Sequence, residues 1–144
     1  MRFDDEKSGL HLVTRDDLRQ RDVNAWARAF REWREINGVA ALPASKLSNA
    51  EYNCGALYAS VSAGWIIESG RTVPDPEHAE QTRVLDAVPD KPTDVDDMDP
   101  PLVQWYGARI VIAYDRVMNL APKASSPQPS GRASGADEGP AQTS

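Results

Sequence analysis

The sequence predicts an all-α fold: a small domain of three to five helices followed by a disordered C-terminal tail. Two observations predict the helices. Apolar residues recur at helical spacing in three segments, and a capping box opens one of them. A third observation predicts the tail. From Ala121 to Ser144 there is no Leu, Ile, Val or aromatic residue, so this stretch cannot bury enough apolar surface to offset its ordering entropy. The expected organisation is an N-terminal extension over 1–13, a helical domain over 14–120 and a tail over 121–144.

The first helix is expected over 22–36. Val23, Trp26, Ala27, Phe30, Trp33 and Ile36 fall on one face. Asp22 is placed to cap it, or Thr14 and Asp17 form a capping box for an earlier start. Asn37-Gly38 ends it, because glycine adopts the left-handed conformation that follows a helix. A second helix is expected over 49–63. Ser48-Asn49-Ala50-Glu51 forms its capping box, with Leu47 and Tyr52 as a hydrophobic staple, and Ala63-Gly64 as its stop. Cys54, Leu57, Tyr58 and Val61 form its buried stripe.

Trp65-Ile66-Ile67 is too short for its periodicity to separate strand from helix. Ser69-Gly70, Pro74 and Pro76 predict a turn region. Asp75 as cap and Pro76 at the first helical position predict a short helix over 76–87, and residues 88–99 read as a loop. The last helix is expected over 100–119, with Asp99 as cap and Pro100 at its start. Val103, Tyr106, Gly107, Ile110, Ala113, Tyr114 and Val117 form one continuous face, while Leu102, Trp105 and Ile112 lie off it. A helix apolar on two sides needs a second partner. Leu102, Trp105, Ile112 and Trp33 are therefore the candidate protein-binding residues, since tryptophan is enriched at interface hot spots.

Composition removes several functional classes. The 144 residues carry 16 Lys and Arg against 22 Asp and Glu, a formal net charge of −6. Six arginines lie between Arg15 and Arg34, with acids among them, and nine acids lie between Asp75 and Asp99. An acidic chain lacks the general basic face of a nucleic-acid binder, so nucleic acid is not an expected partner. With no long apolar run and no secretory h-region, neither a membrane nor an export signal is expected, and the expectation is a soluble intracellular protein. A single cysteine, Cys54, supports neither an internal disulfide nor a Cys-rich zinc site.

Asp94-Val95-Asp96-Asp97-Met98-Asp99 lacks the glycine and terminal glutamate of a calcium loop and reads as a solvated acidic loop. His11 and His78 have no partner at metal-ligand spacing, and Cys54 lies within an apolar stripe. No phosphate-binding glycine loop, nucleophile elbow or zinc-protease motif occurs. No catalytic residue, cofactor or metal is expected, and the chain reads as a protein that is not an enzyme.

Three pieces of the chain carry a family resemblance. They are Leu18-Arg19-Gln20-Arg21-Asp22-Val23; Leu47-Ser48-Asn49-Ala50-Glu51-Tyr52 through Ala63-Gly64-Trp65; and Asp97-Met98-Asp99-Pro100 before Val103-Gln104-Trp105 and Ile110 to Tyr114. Over residues 14–122 this layout resembles the tail assembly chaperones and minor tail proteins of tailed bacteriophages. The resemblance implies a non-enzymatic role in virion morphogenesis, in the host cytoplasm or in the virion itself. Its implied partner is a phage tail protein, the tape-measure or tail-tube protein, with homo-oligomerisation equally compatible. A structural virion protein of the neck, tail-completion or minor tail type is the alternative, and a small helical DNA-binding regulator a further one.

Overall fold

The computed structural model describes residues 1–123, with side chains described through Asn119. It corrects the all-α expectation. A four-stranded antiparallel sheet in the order β1-β2-β3-β4 accompanies the helices, so the fold is mixed α and β. The strands are β1 (Arg2–Asp4), β2 (Leu10–Thr14), β3 (Ile66–Asp75) and β4 (His78–Leu85). The helices are α1 (Gln20–Ile36), α2 (Asn49–Ala63) and α3 (Pro100–Lys123), with short 3-10 turns at Ala44–Lys46 and Pro92–Asp97. Met1–Ala113 forms one compact unit, and α3 continues beyond it into a second.

The expected N-terminal extension is therefore a hairpin. In β2, Leu10, Leu12 and Thr14 alternate with His11 and Val13, and all but Val13 are buried, because β2 lies between β1 and β3. The expected helix over 76–87 is strand β4, paired with β3 from Arg71↔Leu85 to Asp75↔His78. Asp75-Pro76 begins the connecting turn and caps no helix; the Asp75 carboxylate instead accepts from the Glu77 N–H at 2.9 Å. Pro74 is tolerated because pairing between β2 and β3 ends at Leu10↔Arg71, leaving this part of β3 bonded on one side only. Gly70 lies inside the strand at φ 114°, and a Cβ there would sit 2.5 Å from Val84 Cγ1. The glycine signals a close approach of strands, where the sequence predicts a turn. Pro92–Asp97 turns the expected acidic loop into a 3-10 helix that buries Val95.

The helices form largely as expected. In α1 the cap position is Arg19, and Asp22 stands one turn in, where its carboxylate accepts from the Arg19 N–H at 2.8 Å. Val23, Trp26, Phe30 and Trp33 are buried, whereas Ala27 and Ile36 are exposed. Both bonds of the Ser48–Glu51 capping box form, at 2.9 and 3.1 Å. At the other end of α2, Gly64 is left-handed at φ 72°, and the Trp65 N–H reaches back to the Ser60 carbonyl at 3.0 Å.

Every residue from Gly55 to Ser60 is buried, so the middle of α2 is covered on all sides. Its small residues permit close neighbours. A Cβ at Gly55 would lie 2.8 Å from the Trp33 ring, and a Cβ at Gly107 of α3 would lie 2.3 Å from the Asn53 carbonyl oxygen. Trp65 ties helices to sheet. Fully buried, it stacks on Trp26 at 5.7 Å, donates its indole N–H to the Asp22 carbonyl and accepts at its own carbonyl from the Arg15 N–H. The Trp26 indole N–H is satisfied in turn by the Ser60 hydroxyl at 2.8 Å.

α3 reaches Lys123, so it extends over the first three residues of the expected tail. The disorder expected for the rest of that tail falls on residues outside those described.

Candidate interaction surface

The first half of α3 is anchored on one side. Val103, Tyr106, Gly107, Ile110 and Ala113 are buried. Gln104 bridges to α2, accepting from the Asn53 amide at 3.0 Å and donating to the Ala50 carbonyl at 3.2 Å. The Tyr106 hydroxyl donates to the Asp86 carbonyl at 2.8 Å, and burial pushes its phenol up to about 12. These contacts fix the rotation of the helix and hence which residues remain outside.

Leu102, Trp105, Arg109 and Ile112 follow one another at three- and four-residue steps along an adjoining flank. Leu102, Trp105 and Arg109 are half-buried, and Ile112 is 41% exposed. The Arg109 guanidinium lies 4.6 Å over the Trp105 ring, and Trp105 meets Tyr106 edge-on at 5.3 Å. The two rings meet edge to face, and the guanidinium lies over a face of the indole. The indole is therefore held in one orientation while part of it stays open to solvent. Asp5 lies in the turn between β1 and β2. The Ser8 hydroxyl chiefly holds its carboxyl below the usual range, and the charge of Arg109 contributes.

Three of the four expected binding residues thus lie together, and the fourth does not. Trp33 is only 5% exposed, packed against Phe30 and over Gly55 between α1 and α2. It belongs to the core because the missing side chain at Gly55 leaves room for its ring. Arg109 is the member the sequence reading missed. Its signal was available, an arginine four residues after a tryptophan on the same helix.

Burial, reinforced by the charge of Asp96, pushes the Cys54 thiol up, which leaves it protonated and a poor nucleophile. It lines a shallow pocket together with Val95, Asp96, Met98, Pro100, Val103 and Gln104. His11 is buried and contacts Glu68 at 3.1 Å, and exposed His78 lies 3.4 Å from Asp75 at the β3–β4 turn. Among the described residues, no group of three His, Cys, Asp or Glu side chains is arranged to hold a metal ion. No described helix is long and apolar enough to cross a membrane. No protein-family model, curated protein or solved structure matches the chain.

Proposed function

We propose that this protein is a non-enzymatic tail-morphogenesis protein of a tailed phage, acting as a chaperone that shields apolar helical surface on the tape-measure protein. The observation that carries the binding role is the flank of Leu102, Trp105 and Ile112. It lies beside a face of α3 that is already packed, with its tryptophan oriented by Arg109. An amphipathic client helix laid along this flank gains an apolar stripe with a rigid aromatic anchor. The phage assignment rests on the layout of sequence motifs over 14–122.

Tagged pull-down from producing cells, beside analysis of purified particles, tests this reading. Recovery of a long, helical tape-measure protein from cells, with none of this chain in finished particles, is the expected result. A fixed copy number in particles makes the protein a building block instead. Absence of any phage protein from the pull-down removes the assignment.

A further inference from the structure

A second surface stands apart from the α3 flank. On α1 the outward face, opposite Trp26, Phe30 and Trp33, carries Arg21, Arg28 and Arg31, all exposed. Among the described residues none of the three makes an ion pair, although the chain is acidic overall. The local acids do not neutralise them, for a physical reason. Arg28 precedes Glu32 and Arg31 precedes Glu35, the less favourable order for a pair four residues apart on a helix. Glu32 is also engaged elsewhere, accepting from the Tyr58 hydroxyl at 3.1 Å.

The counterpart lies on the 3-10 helix Pro92–Asp97. Val95 is its buried anchor, and Asp94, Asp96 and Asp97 are exposed without an ion pair. Side chains three residues apart eclipse in a 3-10 helix, so Asp94 and Asp97 form a ridge with about 6 Å between them. Arg28 and Arg31, three apart on an α-helix, are about 5–6 Å apart at Cβ. The two pairs match in spacing and oppose in charge. Among the described residues of one copy, no ion pair joins them.

We infer that the outward arginine face of α1 is a docking surface for a second copy of this chain, received through its Asp94–Asp97 ridge. Charge complementarity selects this occupant. Nucleic acid fits less well, because it presents a continuous line of phosphates to a stripe that Glu32 and Glu35 interrupt, whereas the ridge presents two carboxylates to Arg28 and Arg31 alone. Where the two patches engage reciprocally the result is a two-fold dimer; where they engage in sequence, a ring or an open chain. Exposed ion pairs of this kind are weakened by salt, so association belongs to low ionic strength.

Sedimentation velocity of the full chain tests this, comparing about 20 mM with about 500 mM salt, across which the screening length falls several-fold. The expected result is concentration-dependent association at low salt and a monomer at high salt. Arg28→Glu with Arg31→Glu should weaken association at least tenfold, and Asp94→Arg with Asp97→Arg should do the same. All four positions are exposed, and far-UV circular dichroism verifies that each variant is folded. Mixing the two folded variants should restore association, because the reversed charges again oppose one another. A wild-type monomer at low salt overturns the inference, as does a mixture that stays monomeric. So does salt-dependent binding of duplex DNA by a monomer that only the arginine variant loses, which would make the stripe a polyanion surface instead.

Discussion

Helix α2 and the β3–β4 ribbon lie next to one another in the chain but are specified in different ways. α2 carries its own boundaries. Ser48 and Glu51 close one end within four residues, and Gly64 with Trp65 closes the other within six. The ribbon is defined by a partner strand. Its residues His78-Ala79-Glu80-Gln81-Thr82-Arg83-Val84-Leu85 include good helix formers, show no apolar alternation, and are exposed except for Leu85. Their strand form comes from the ladder to β3, whose own sequence contains Gly70 and Pro74. Local hydrogen bonds can be read from spacing, while a ladder depends on what lies across it.

Trp65 is where the two regions join, and removing it should have the largest effect. Trp65→Ala deletes a fully buried ring between Trp26 and the start of β3, with an expected loss of about 3–5 kcal/mol in denaturant unfolding. A loss below about 1 kcal/mol would mean that sheet and helices are not coupled through this residue.

The ribbon alone is tested at Gly70. Gly70→Ala forces a Cβ against Val84 and the Leu85 carbonyl at a positive φ, with an expected cost of about 2–3 kcal/mol. Amide exchange should accelerate across 71–85 and stay slow in α2. Equal acceleration in both would show one cooperative unit and dissolve the contrast.

The anchored side of α3 is tested by pH. Tyr106 is buried with its phenol raised to about 12, so its native state holds the proton more tightly than the unfolded chain, where the value is about 10. Its contribution is complete below pH 10 and is lost as pH rises from there toward 12, an order of 2–3 kcal/mol. Tyr106→Phe should flatten that part of the profile. An unchanged alkaline limb would show that another group sets it.

The smallest effect belongs to the most local signal. Ser48→Ala removes one side-chain acceptor at an exposed helix start and should cost about 1 kcal/mol without altering the ribbon.

The same contrast explains how much was legible in the sequence. The boundaries of α2, the end of α1 at Asn37-Gly38 and the start of α3 at Pro100 all follow from residues within a turn of the boundary itself. β1 and β2 were hidden because they are short and β2, buried between neighbours, barely alternates. Asp75-Pro76 was misleading because the same pair that opens a helix also opens a tight turn. At the candidate surface, Leu102, Trp105 and Ile112 were legible as apolar residues off the main face of one helix. Trp33 was misassigned because its burial depends on Gly55, which belongs to another helix.

The central claim is that the outer flank of α3 binds a client and contributes less to holding the fold. Trp105→Ala measures this when its effect on client affinity is compared with its effect on unfolding. The expected result is a loss of at least about 2 kcal/mol in binding, some 30-fold, against about 1 kcal/mol in stability for a half-buried ring. Equal losses in both would place Trp105 with the core and contradict the account.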